Sequence, residues 1–143
     1  WEIIITDEDT IQAQVLSSGH IIITSETLKF IKSINELAFI LAHEISHILY
    51  RHNAELRSLT DLSNNFLFVI AGIIDFVSSQ FPKVKQILGP TLSNCSKGSL
   101  LYPYTRLQEL EADKGAIFLM SRAGYNPNSS IKFWNRLLKE KED

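Results

Sequence analysis

The stretch "LAHEISHILYRH", residues 41–52, sets His43, Glu44 and His47 into a run that otherwise reads as a buried helix. Burying imidazole and carboxylate groups without partners costs several kcal/mol, so the run implies a partner that compensates them. An α-helix advances about 100° per residue, which leaves His43 and His47 about 40° apart around the axis and about 6 Å apart along it. The two rings share a face, and imidazoles so placed can direct nitrogens at one Zn²⁺ at about 2.0–2.1 Å. Glu44 lies beside the first of them, where its carboxylate can take a proton from water acidified by the metal and return it to a leaving amine. The H-E-x-x-H spacing therefore points to peptide hydrolysis, and it requires a third ligand.

His52 is excluded as the third ligand, because nine residues from His43 on the same 34–54 helix put it about 180° away. The HExxHxxGxxH arrangement needs Gly at 50 and His at 53, where Tyr50 and Asn53 stand. His20 follows Gly19 at a strand entrance and reads as a solvated turn histidine. The remaining source is "RLQELEADKGA" at 106–116, where Glu109 and Asp113 are spaced i, i+4 and share a face. Glu109 would complete a two-His, one-Glu site with a fourth position open, and Asp113 could accept the second N–H of a ligating histidine. On spacing alone the pair reads equally well as a solvated helix face. Glu111 points away from both and is expected to be exposed.

Working outward, residues 2–6, 11–16 and 20–24 are short β-branched runs separated by "DEDT" and "SSG", and they predict a small sheet. A helix follows from Ser25, and Ser33 with Glu36 has the capping-box spacing that opens the 34–54 helix. Residues 61–87 read as helix and 88–103 as loop. Thr105 and Gln108 repeat the capping-box pattern for a helix ending near Gly124, and Asn126 with Pro127 opens a last one. The apolar run "FLFVIAGII" at 66–74 is shorter than the roughly 20 residues a spanning helix needs. It reads first as a buried core helix, with a membrane-facing or partner-facing patch as the alternative.

Bulk properties narrow the classes further. A chain of 143 residues, 45% hydrophobic and 21% charged, fits a single domain over 1–143. A net charge of −2 leaves no basic face for a phosphate backbone, so nucleic acid is not an expected partner. The lone Cys95 excludes an internal disulfide and a cysteine-based zinc site. Because the sequence starts at Trp1 rather than Met, an upstream targeting or anchoring segment stays open.

Two segments, "NELAFILAHEISHILYRH" and "YTRLQELEADKGAIFLMSRAGYNP", resemble the active-site helix and the S/T-R-x-x-E-x-x-A-D segment of one zinc metallopeptidase family. That family includes CAAX prenyl endopeptidases, the bacterial membrane heat-shock protease and soluble periplasmic relatives. Within it, "WEIIITDEDTIQAQVLSSGHIIIT" and "PYTR" are similar to the mitochondrial inner-membrane stress protease and its bacterial soluble cousins. The resemblance implies an α+β, zincin-like (minimal gluzincin) fold with one catalytic Zn²⁺ held by His43, His47 and Glu109. It makes Glu44 the general base and Asp113 the residue behind a ligand. It also implies that the strand around Ala13 borders the cleft and pairs with an extended polypeptide substrate through its backbone. Protein quality control is the implied setting, in a bacterial cell envelope or periplasm, alternatively at the mitochondrial inner membrane, with membrane proximity. Gln12 and Gln14 stand where relatives often carry Asn and Phe. Arg106, Tyr102, Tyr104 and Tyr125 are candidates to steady the oxyanion. Two other readings stay open: a chaperone-like module in which zinc only staples two helices, and a latent enzyme whose cleft is covered.

Overall fold

A computed structural model describes residues 1–80 and 97–140. Three strands, β1 (Glu2–Thr6), β2 (Ala13–Val15) and β3 (His20–Thr24), form a sheet in the order β1-β3-β2. β1 runs parallel to β3 with Ile4 opposite Ile22, and β2 runs antiparallel with Gln14 opposite Ile22. Five helices follow among the described residues: α1 (Ser25–Phe30), α2 (Ile34–Leu49), α3 (His52–Gln80), α4 (Lys97–Arg122) and α5 (Ser129–Glu140). This is the α+β arrangement expected from the sequence.

The chain divides into two compact units, one of residues 1–53 with 108–143 and the other of 54–107. In the first, the two-residue period of β3 buries Ile21 and Ile23 against Val15, with Leu37, Leu41, Ile45 and Ile48 of α2 packed on them. The other side of α2 contributes Phe39, Ile40 and Ala42 to a second cluster with Ala116 and Met120 of α4 and Phe133 of α5. Thus α2 is clasped between the sheet and the helices α4 and α5.

Local chemistry sets the ends of these elements. Thr24 caps α1 by accepting from the Thr27 amide, and Ser33 caps α2 by accepting from the Glu36 amide. Glu36 does not close the expected capping box on Ser33. Its carboxylate accepts from the Lys32 amide at 2.8 Å and from both terminal nitrogens of Arg136 at 2.7 and 2.8 Å, tying the start of α2 to α5.

Several boundaries differ from the sequence reading. α2 stops at Leu49 rather than 54, because Arg51 takes a left-handed conformation (φ 60°) that re-aims the chain before α3 begins at His52. α3 therefore starts earlier than 61, and residues 81–87 of that expected helix lie outside the described residues. Of the expected 88–103 loop, 97–103 belong to α4, so Thr105 lies inside a helix rather than capping one; 88–96 lie outside the described residues. α5 begins at Ser129, since Asn126 uses its side chain on the Asn128 amide and holds the chain in a turn through Pro127.

The 66–74 run, expected first as core, is exposed. α3 presents Leu62, Phe66, Phe68, Val69, Ile73 and Phe76 outward, and only 6% of its most apolar window is buried. Over His52–Ser79 the helix is long and apolar enough to cross a membrane by length and composition.

Candidate metal centre

α2 delivers His43, Glu44 and His47 to one cleft, and α4 delivers Glu109 and Asp113. His43 Nε2 lies 3.0 Å from His47 Nε2 and 3.3 Å from Glu109 Oε2, and His47 Nε2 lies 3.7 Å from Glu109 Oε1. Ligand atoms at the corners of a tetrahedral zinc site with bonds near 2.05 Å stand about 3.3 Å apart. The three donors thus form one face of such a tetrahedron, and they are the group among the described residues able to hold a metal ion. The chemistry of the set agrees with its geometry. Two imidazole nitrogens facing each other at 3.0 Å repel through their lone pairs unless a proton or a cation lies between them.

Close approach of the helices makes this possible. A Cβ on Gly115 would lie 2.6 Å from Ser46 Oγ and 2.8 Å from a Tyr50 ring carbon, so only glycine lets α4 pass α2 at that point. Ala112 and Ala116 beside it are fully buried. Glu109 and Asp113, on the preceding turns, are carried to the rings of α2.

The remaining ring atoms are engaged as well. His43 Nδ1 lies 3.0 Å from Asp113 Oδ1. Burial opposes a charge on His43, but hydrogen bonds to Asp113 and Glu109 and the fields of Glu44 and Asp113 outweigh it and push its pKa up to about 9. Bonds from His43 and His47 hold Glu109 well below the usual carboxylate range. Glu44 is buried in the cleft wall, and burial raises its pKa against the pull of His43 and His47 and of a bond from the Val15 backbone.

The cleft, of about 420 Å³, runs along β2 and is walled by Phe39, Ile40, Phe133, Trp134 and Leu137. Backbone bonds join Leu16 to His20 and Thr24 to Gln12. These are directly opposed residues, so the alternating ladder places Ala13 and Val15 in the pairs whose N–H and C=O groups face the other edge. Val15 uses its carbonyl on Asn53 Nδ2 at 3.3 Å, and the Ala13 groups face the cleft.

Of the other residues singled out in the sequence, His20 is a surface residue bonded to Ser18 and Glu2, as expected. Tyr104 donates to Glu55, and Tyr125 lines a separate apolar groove between α2 and α4. His52 is the main omission. The group able to hold a metal does not include His52, but the continuous helix expected for it is broken at Arg51, which turns it back so that its Nδ1 stands 3.0 Å from His47 Nδ1. A tendency to break at Tyr50–Arg51 was not visible, since neither residue is a helix breaker. The walls from α5 were missed too, although the amphipathic pattern of that helix carried the signal.

The model of peptidase family M48 matches residues 1–140. The chain belongs to peptidase family M48. Among curated relatives, the mitochondrial metalloendopeptidase OMA1 of Saccharomyces cerevisiae is 32% identical over 139 residues, 96% of this chain and 37% of that protein. Its Schizosaccharomyces pombe counterpart is 31% identical over 137 residues, with the same coverage of each chain. The β-barrel assembly-enhancing protease of Escherichia coli O157:H7 is 27% identical over 136 residues, 92% of this chain and 27% of that protein. The chain spans about a quarter to somewhat over a third of the length of these relatives.

Proposed function

We propose that this M48 chain is a zinc-dependent endopeptidase, with His43, His47 and Glu109 holding one Zn²⁺, Glu44 moving the proton and Asp113 orienting His43. The observation that carries the reading is the convergence of His43 Nε2, His47 Nε2 and Glu109 within one cleft that also holds the Glu44 carboxylate. When bound, the ion would supply Lewis-acid chemistry, polarising a peptide carbonyl and acidifying water. Burial raises the affinity of the Glu44 carboxylate for a proton, which suits it to take one from the attacking water and hand it to the departing amine. The outward N–H and C=O of Ala13 would pair with an extended substrate as an added strand, and the aromatic wall from α2 and α5 would receive an apolar side chain beside the cut bond.

The family match runs through both compact units, which supports a single metallopeptidase domain over 1–143. Within the family, relationship to the mitochondrial and β-barrel assembly-enhancing members favours a role in protein quality control. The exposed apolar surface of α3 favours work close to a membrane. Cleavage of an unfolded protein by the wild-type chain and its Glu44→Gln variant tests the function. The substitution should abolish hydrolysis while stoichiometric zinc is retained; unchanged hydrolysis would remove Glu44 from the reaction. Zinc retention with no hydrolysis by the wild type, under any condition including proteolytic trimming, would favour a zinc-stapled binding module.

A further inference from the structure

We infer that His52 and Glu111 form a positioning pair behind the candidate ligand His47, fixing the tautomer that turns its Nε2 toward the metal. The inference rests on the reading that His43, His47 and Glu109 hold an ion.

The placement of two ring protons carries the pair. His52 Nδ1 and His47 Nδ1 are 3.0 Å apart, and on the other side His52 Nε2 is 3.3 Å from Glu111 Oε2. Two ring nitrogens at that distance share one proton, so one donates and the other accepts. If His47 gives its Nε2 lone pair to a metal, its proton sits on Nδ1 and His52 must accept it there. The proton of His52 is then on Nε2, directed at a carboxylate that only accepts when ionised. Each position follows from the one before, and Glu111 closes the series.

The surroundings hold the pair in place. His52 is 2% exposed, its ring lies 5.0 Å from that of His47 and 5.6 Å from that of Tyr50, and its carbonyl accepts from Gln108 Nε2 at 3.2 Å. The next residue, Asn53, bonds Val15 of β2. The sharp turn at Arg51 thus places two consecutive side chains, one against the ligand ring and one against the strand that borders the cleft. A buried histidine serving packing alone would need partners for its nitrogens, but nothing would require one of them to be the far nitrogen of a ligand candidate. Glu111 itself is largely exposed, and its contact with His52 Nε2 is what distinguishes it from an ordinary surface glutamate.

Zinc affinity by chelator competition, measured in the Glu44→Gln background so that hydrolysis plays no part, tests the pair. His52→Leu keeps bulk but removes the acceptor, and affinity should fall about 10- to 100-fold, the range for residues supporting a metal ligand. His52→Asn, whose side-chain oxygen can stand near the Nδ1 position, should recover most of that loss. Glu111→Leu on the surface, one residue further from the metal, should weaken binding by a smaller factor than His52→Leu does. In zinc-loaded protein carrying native His52, ¹⁵N NMR should show His47 protonated on Nδ1 and His52 on Nε2. Equal losses for His52→Leu and His52→Asn, an unchanged affinity in His52→Leu, or a His52 proton on Nδ1 would each overturn the assignment. The NMR measurement needs no substitution at 52 and decides the matter even if His52→Leu fails to fold. Failure of these tests with stoichiometric zinc still bound leaves the metal reading intact, whereas failure to bind zinc in the parent chain refutes that reading itself.

Discussion

Gly115→Ala tests whether close helix approach builds the site. A methyl group there would meet Ser46 Oγ at 2.6 Å, and ordinary contact begins at 3.4 Å, so the shortfall is 3.4 − 2.6 = 0.8 Å. Tyr50 can move its ring tip away. Ser46 cannot yield easily, because it is wholly buried and its hydroxyl is anchored on the Ala42 carbonyl at 2.7 Å. Relief must come mainly from α4 backing off α2 by several tenths of an ångström. Overpacking of this kind costs about 1–3 kcal/mol, and the better helix propensity of alanine returns about 0.5–1 kcal/mol. The net expectation is a destabilisation of up to about 2.5 kcal/mol, or up to about 10 °C in Tm for a chain of this size. Glu109 and Asp113 ride on the same helix, so the 3.0 Å contact between His43 and Asp113 should lengthen and zinc affinity should fall about tenfold. Thermal unfolding and chelator competition read the two effects. Adding Ser46→Ala removes the closest atom and should restore more than half of each loss, a coupling that a double-mutant cycle measures. A Gly115→Ala protein with unchanged zinc affinity, or one that Ser46→Ala does not rescue, would refute the idea that this contact sets the spacing of the ligands.

Further expectations concern the metal donors, the strand edge and the clasp on α2. Asp113→Ala should weaken zinc about 10- to 100-fold while Glu109→Ala abolishes stoichiometric binding, both read by metal analysis after dialysis. Ala13→Pro removes one cleft-facing N–H without touching the bonds to β3; kcat/KM on an unfolded substrate should drop about 2- to 12-fold, the worth of one hydrogen bond, with zinc content unchanged. Glu36 has its pKa lowered, first by its bond with Arg136, so the stability it contributes is present above its unfolded value of 4.5 and is lost as pH falls through the lower folded value. Wild-type stability should therefore decline more steeply than that of Glu36→Gln below about pH 4.5 in denaturant titrations. At neutral pH the substitution should cost about 2–4 kcal/mol, below the cost of breaking a fully buried pair because Arg136 remains 31% exposed.

The sequence by itself determined the elements that depend on local periodicity and on fixed helical offsets. The three strands follow from short β-branched runs, and the shared face of His43 and His47 follows from a four-residue spacing that any α-helix converts to the same angle. The i, i+4 relation of Glu109 and Asp113 was legible for the same reason, and the resemblance paired it with the histidines. Tertiary structure decided what depends on contacts between distant segments. The left-handed turn at Arg51, which no propensity announces, brings His52 behind His47, and the missing side chain at Gly115 lets two helices approach until their donors converge. The same holds for the apolar run of α3: its composition suits a core or an outer surface equally, and only its lack of covering neighbours among the described residues makes it a surface. Angles within one helix are fixed by backbone geometry, whereas the distance between two helices is fixed by the side chains that meet there.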